Sequence, residues 1–176
     1  METPRTVTLD EVLAAREARA AHQRALLARH PFAALVCLTV NVPGPVKRTP
    51  EARRVFAAGI SALLDALARA GLSAERIERR CPDTGCEAYV VVDAGAETLK
   101  RLACALEESL PYGRLLDLDV HTKKGQIPRT QVGYAARGCM VCGRGGAYCA
   151  SRRAHPLAEI LAAFARLARL APEVDA

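Results

Sequence analysis

The chain has no tryptophan, and four tyrosines and three phenylalanines bring its aromatic content to only 4%. A module that binds single-stranded nucleic acid needs rings on which bases can stack, so this scarcity argues against one. Acid is missing from a whole stretch. Between Val120 and Ala158 there is no Asp or Glu, while Lys123, Lys124, Arg129, Arg137, Arg144, Arg152 and Arg153 all fall inside it. No uninterrupted apolar run could span a bilayer, and Arg5 and Asp10 stand where a signal peptide would carry its apolar centre. A membrane partner is therefore not expected, and the expected location is cytoplasmic. Internal repeats and low-complexity linkers are also missing.

What is present is globular composition, 51% hydrophobic and 25% charged over 176 residues, with a net charge of +6 that suits an anionic partner. This length fits one domain, 1–176, burying about 70% of its unfolded surface. Its core is expected over about residues 33–132, with a Cys/His loop and a C-terminal helix over 137–172. Of the seven cysteines, Cys37 and Cys104 lie in apolar runs and read as core residues. Cys81 and Cys86 flank a turn and could pair, although thiols are the default in a reducing compartment.

Asp10 to Arg29 has strong helix formers and no Gly or Pro, and His30-Pro31 ends it. Ala34 to Val42 reads as a buried strand closed by Pro43-Gly44-Pro45. Thr49-Pro50-Glu51 supplies an N-cap, a first-turn proline and an early acid for a second helix, which Gly71 stops. Glu75–Arg80 and Ala88–Asp93 are strands around the Pro82–Gly85 turn, and Glu97–Leu110 is a third helix. The segment from Gly113 to Val120 alternates apolar and polar residues, the period of a half-buried strand. A hairpin at Lys124-Gly125 then adds a strand over Gln126–Val132, and His155-Pro156 opens a last helix. Strand, helix, strand, strand, helix, strand is the split βαβ order. It predicts an α+β, ferredoxin-like antiparallel sheet with helices on one face, to which the terminal helices, the hairpin strand and the cysteine loop are added.

Three constellations carry chemistry. Asp117 and Asp119 share one strand face roughly 6.5–7 Å apart. Such pairs are often only a solvated face, but here Gly113 and Arg114 precede them and most cations of the second half follow. Magnesium commonly bridges one or two carboxylates to substrate phosphates. The alternating acids resemble those of nucleotidyltransferases in chemistry, although the Gly-Ser turn and intervening helix of those enzymes are missing. Cys139, Cys142, Cys149 and His155, spaced C-x2-C-x6-C-x5-H, form a tetrahedral set for structural zinc. Lys47, following the rigid proline turn, and Arg53 and Arg54, in the first turns of the next helix, suit phosphate, and Arg16 is a further cation. Glu17 and Glu107 are candidate general bases.

The segments Ala15–Arg19 with Gln23, Arg29-His30-Pro31, Pro43–Lys47 with Arg53–Phe56, Pro111–Val120, and Arg137–Cys142 with Cys149 and His155 together resemble one family. It is the citrate lyase holo-acyl-carrier-protein synthases, also called apo-citrate lyase phosphoribosyl-dephospho-CoA transferases. Leu116 departs from the family, which often has an aromatic residue there. The resemblance implies transfer of the phosphoribosyl-dephospho-CoA group from triphosphoribosyl-dephospho-CoA to a serine of the citrate lyase acyl carrier (gamma) subunit, with release of diphosphate. On that reading Asp117, Asp119 and Arg114 are catalytic and the two acids hold Mg2+. Arg16, Lys47, Arg53, Arg54 and Gly113 bind the donor, and Cys139, Cys142, Cys149 and His155 hold Zn2+. The alternatives are a small zinc-containing nucleic-acid-binding module and a non-catalytic partner of the carrier.

Overall fold

The computed structural model describes residues 5–174. Helix α1 (Leu9–Arg29) begins at a capping box, in which Glu11 N–H donates to Thr8 Oγ1 and Thr8 N–H donates to Glu11 Oε2. After it come β1 (Ala34–Val40), α2 (Pro50–Arg69), β2 (Ala74–Arg80), β3 (Glu87–Val92), α3 (Ala96–Ser109) and β4 (Leu116–Thr122). Helix α2 starts as its sequence predicts, with Ala52 N–H donating to Thr49 Oγ1 at 3.2 Å and proline in the first turn. A two-residue β5 (Gly125–Gln126), α4 (Gly146–Ser151) and α5 (Leu157–Ala168) complete the chain. Among the described residues, no helix is long and apolar enough to cross a membrane.

The sheet order is β2–β3–β1–β4–β5 and every pairing is antiparallel. The first four strands, interleaved this way, are the expected α+β core. Helices α2 and α3 cover one face, where Val36, Leu38, Val90, Leu118 and Val120 meet Ile60, Leu63, Leu99 and Ala103.

Helix α1 lies on the other face, a placement that helices on one face alone would not give. Leu26 and Leu27 pack there on Leu35, Cys37, Tyr89 and Val91. The cause is in the central strands. All six residues of β3 and the first five of β1 are buried, so both their faces need cover. Polar bonds fix the helix in position. Arg19 Nε donates to Glu87 Oε2 at 2.8 Å, Tyr89 OH donates to Glu87 Oε1 at 2.7 Å, and His22 Nε2 lies 2.7 Å from Glu78 Oε2.

Three further expectations are corrected. The strand predicted over Gln126–Val132 stops after Gln126. Ile127 N–H still donates to Val120 O, but Pro128 has no N–H to continue the ladder, and Arg129–Val132 is a 3-10 turn. The cysteine loop contains a short helix, α4. Cys81 and Cys86 are joined in a disulfide rather than left as thiols, across a turn closed by Gly85 N–H on Pro82 O.

Because β5 is so short, β4 has an open edge beside Leu118, and side chains of α3 complete it. Leu118 N–H donates to Glu107 Oε1 and Lys100 Nζ donates to Leu118 O, both at 2.8 Å. Glu107 also pairs with Arg129 at 3.2 Å and Arg137 at 3.7 Å. Removing one member of such a buried charge network costs about 3–5 kcal/mol, because its partners stay buried without a counter-charge. Glu107→Leu should therefore lower the unfolding free energy in urea by about 3 kcal/mol or more. A loss under about 1 kcal/mol would show that the strand edge does not need this acid.

Candidate active site and metal centre

Strand β4 buries Leu116, Leu118 and Val120 against α2 and α3 and turns Asp117, Asp119 and His121 toward α1. The opposite wall is the first half of α1, where Arg16 and Arg19, one turn apart, face the sheet. Two joined cavities of 200 and 180 Å3 share Arg16, Arg19, Thr39 and Asp117, so they form one cleft. Gln23, Asp119 and His121 line the first, and Asn41 and Lys47 line the second.

The charges in this cleft stand in like-sign pairs. Recession into the cleft and then the nearby charge of Asp119 raise the Asp117 carboxyl above its usual range, although its side chain is 49% exposed at the mouth. Arg137, 3.5 Å away, opposes the shift without cancelling it. Asp119 Oδ1 lies 3.6 Å from Lys100 Nζ and accepts from Gln126 Nε2 at 2.5 Å. Lys47 donates to Val42 O at 2.6 Å, and its ammonium is pushed down by burial and then by the charge of Arg16. His121 is lowered by burial, and its Nε2 is buried without a hydrogen-bond partner.

The structure thus gathers four of the residues singled out from sequence, Arg16, Lys47, Asp117 and Asp119. It separates others. Arg53 lines an 830 Å3 cavity beside Arg79, and Arg54 donates to Ala168 O at 3.0 Å. Both ride on α2, on the sheet face opposite α1. Arg114 is turned away from the cleft, with Nε donating to Gly138 O at 2.5 Å. Gly113 is required by packing, since a Cβ there would collide with the Glu107 carbonyl and come within 3.0 Å of Leu106 O. Glu17 is exposed and lines neither part of the cleft, and Glu107 is committed to the β4 edge. Arg19 was missed by sequence reasoning, although its spacing of three from Arg16 puts both on one helix face.

The cysteine loop is anchored by a reciprocal exchange. While Arg114 donates to Gly138 O, Arg137 Nη2 donates to Gly113 O at 3.1 Å and to Arg114 O at 2.9 Å. Cys139 and Cys142 sit on a tight knuckle in which Cys139 N–H donates to Arg144 O and Gly143 N–H to Cys139 O, with Gly143 at φ 73°. Helix α4 carries Cys149. Arg153, at φ 47°, ends that helix and lets Ala154 N–H return to Cys149 O at 3.0 Å, which brings His155 back to the cysteines.

The ligand atoms of Cys139, Cys142, Cys149 and His155 all lie within 4.8 Å of one another. Among the described residues, no other cluster of three or more such side chains comes together in this way. The set fits a tetrahedral metal. Cys142 Sγ and Cys149 Sγ are 3.6 Å apart, against about 3.8 Å for two thiolates on one zinc. His155 Nε2 is buried without a partner, while Nδ1 lies 3.5 Å from Glu159 Oε2, the outer carboxylate that commonly orients a ligating imidazole. The Cys142 thiol is lowered to about 6, first by the Arg144 backbone N–H and then by His155, so a metal-binding thiolate is available at neutral pH.

The family model for apo-citrate lyase phosphoribosyl-dephospho-CoA transferase matches residues 7–170. The chain belongs to that family. A transferase of this name from Citrobacter koseri is 37% identical over 160 residues, covering 90% of this chain and 87% of the relative. One from Escherichia coli O139:H28 is 36% identical over 171 residues, 97% and 91% of the two chains. A probable transferase of the same name from Streptococcus pyogenes serotype M3 is 36% identical over 165 residues, 92% and 85%.

For this family member two measurements follow from the site. Protein prepared without chelator should carry about one metal ion per chain, and stripping it should lower Tm. Elemental analysis finding no metal would reduce the cluster to a thiol loop. The second concerns pH. A carboxyl whose folded pKa is raised destabilises the fold once both states are ionised, and that penalty fades as pH falls into the carboxylate range. Asp117→Asn should therefore melt above the parent at pH 7, with the difference shrinking toward pH 4, as thermal scans across that range would read. A variant that melts lower at pH 7 would show that the Arg137 contact outweighs the desolvation.

Proposed function

We propose that this transferase moves the phosphoribosyl-dephospho-CoA group from triphosphoribosyl-dephospho-CoA to a serine of the citrate lyase acyl carrier subunit, and that the cleft between α1 and β4 is where it does so. The observation that carries this reading is the pairing of like charges. Two carboxylates, Asp117 and Asp119, face two cations, Arg16 and Lys47, and within each pair one group is disturbed by its neighbour's charge. Asp117 and Asp119 have only the longer contacts of Arg137 at 3.5 Å and Lys100 at 3.6 Å, and neither Arg16 nor Lys47 has a carboxylate partner among the described residues. A triphosphate with a divalent cation would bring charge of both signs to them.

Arg16, Arg19 and Lys47 would bind the triphosphate oxygens and hold the phosphorus next to the ribose against the incoming serine. The serine oxygen forms the new bond to that phosphorus and gives up its proton to solvent or the departing diphosphate, which leaves with the electrons of the broken P–O bond. Asp117 and Asp119 are the residues that would hold Mg2+, since two carboxylates plus substrate phosphates are a common magnesium ligand set. Bound there, the ion would neutralise charge on the transferred and leaving phosphates. Lys100 and Arg137 leave the acids exposed on the cleft side, so they do not compete for that position.

The Cys3His set would hold zinc in a structural role, because four protein ligands close the coordination sphere. The acid-free stretch from Val120 to Ala158 is the surface to which an acidic carrier would be steered.

A transfer assay with purified carrier and donor tests the cleft. Asp117→Asn and Asp119→Asn should each slow transfer at least about a hundredfold, the scale of losing a charge-stabilising group. Arg53→Gln, on the far face, should keep near-parent activity. The reverse pattern, with both Asp variants active and Arg53→Gln dead, would move the active site to the α2 cavity.

A further inference from the structure

Between the cysteine loop and α5 lies a third cavity, of 390 Å3, inside the about 300–1,000 Å3 range of small-molecule sites. Its walls are unlike those of the cleft. Met140 and Val141 come from the loop, and Leu157 and Ile160 from α5, and Arg114 and Arg153 also line it. Asn41 lines both this cavity and the cleft, so the two are neighbours that meet at this residue. Neither arginine has a carboxylate partner among the described residues. Arg153 also occupies a left-handed backbone position that glycine would fill without strain. An arginine kept there at a conformational cost is the kind of strain that collects at ligand sites.

We infer that this cavity receives the dephospho-CoA arm of the donor, with the pantetheine chain against Met140, Val141, Leu157 and Ile160 and the diphosphate bridge on Arg114 and Arg153. The inference rests on the transferase reading and deepens it. The transferred group is amphiphilic. Its ribose end belongs with the triphosphate, while dephospho-CoA extends through a charged diphosphate into a long, weakly polar chain. The cleft, in two parts of 180 and 200 Å3, has room for the first portion, and beyond Asn41 the second would meet an apolar surface bearing two cations that lack a carboxylate partner. The metal loop is then one wall of the donor site.

The test uses dephospho-CoA as the probe, measured by calorimetry on the full chain and by its competition with donor in the transfer assay. Val141→Trp and Leu157→Trp fill the cavity from positions that are only partly buried or exposed. Each should weaken dephospho-CoA binding at least about tenfold and raise the donor KM, leaving the carrier KM and the affinity for magnesium tripolyphosphate unchanged. Arg153→Gly should melt higher than the parent yet bind dephospho-CoA more weakly, which a merely structural arginine would not do. Parent-like dephospho-CoA affinity in both Trp variants and in Arg153→Gly overturns the inference while active transfer leaves the function standing. A raised carrier KM with unchanged dephospho-CoA affinity also overturns it, in favour of the carrier as occupant. Dephospho-CoA binding that the Trp variants abolish, in a parent that transfers nothing to the carrier, supports the cavity and sinks the function instead.

Discussion

The buried carboxylate of Glu107 is the constraint on which the second half of the molecule depends. Its position follows from a shortage of strand. Residues after Ile127 do not pair with β4, because Pro128 interrupts the ladder, so without Glu107 the Leu118 N–H would be buried against α3 with no strand partner. An unsatisfied buried amide costs roughly 1–3 kcal/mol, and Glu107 removes that cost. The same acid needs cations of its own, and it takes them from the chain that follows, Arg129 after β5 and Arg137 before the cysteine loop. A charge placed to finish a sheet edge thereby determines where the last third of the chain is fastened.

The cleft is less fully neutralised. Glu107 meets Arg129 and Arg137 at 3.2 and 3.7 Å and accepts from the Leu118 N–H. In the cleft Arg137 and Lys100 stand 3.5 and 3.6 Å from Asp117 and Asp119, yet burial and then Asp119 still raise the Asp117 carboxyl, and burial and then Arg16 lower the Lys47 ammonium. A fold selected only for stability would separate or neutralise such pairs. Their persistence in one groove, with α1 held over the sheet by Arg19–Glu87 and His22–Glu78, is what a site prepared for a charged ligand requires. The bound ligand repays the strain, so stability and activity should pull in opposite directions at Asp117.

The legible parts of the sequence were those whose signals are local. Thr49-Pro50 started α2 as expected, the alternation from Leu116 to Val120 placed both acids on one face, and the spacing of Cys139, Cys142, Cys149 and His155 brought four ligands together. What failed depended on which layer an element joins. Helix α1 has a polar middle and few apolar residues, so nothing in its own pattern says that it covers the sheet. The signal lay instead in the unbroken apolar runs of β1 and β3, which need cover on both faces. With α1 assigned to no face of the sheet, Arg19 could not be seen to join Arg16, nor could Arg53 and Arg54 be seen to fall on the opposite side from Asp117. Gly113 was legible as special, but its close approach to the carbonyls of α3 was not, because such an approach leaves no trace in spacing.

The metal loop and the carboxylates form one mechanical unit. Arg114 donates into the loop at Gly138, while Arg137 reaches back from the loop to the carbonyls of Gly113 and Arg114 and on to Asp117. The residues that place the cysteines are therefore also the residues that flank and partly neutralise an acid of the cleft. If a metal held the loop and were removed, loosening of the loop would free Arg137, and its departure would remove a positive charge 3.5 Å from Asp117. That carboxyl, already raised by burial and by Asp119, then rises further and holds its charge less well as pH falls. A metal closed in by the four Cys3His ligands would in this way govern the chemistry of a cleft it does not line, through guanidinium groups shared by both.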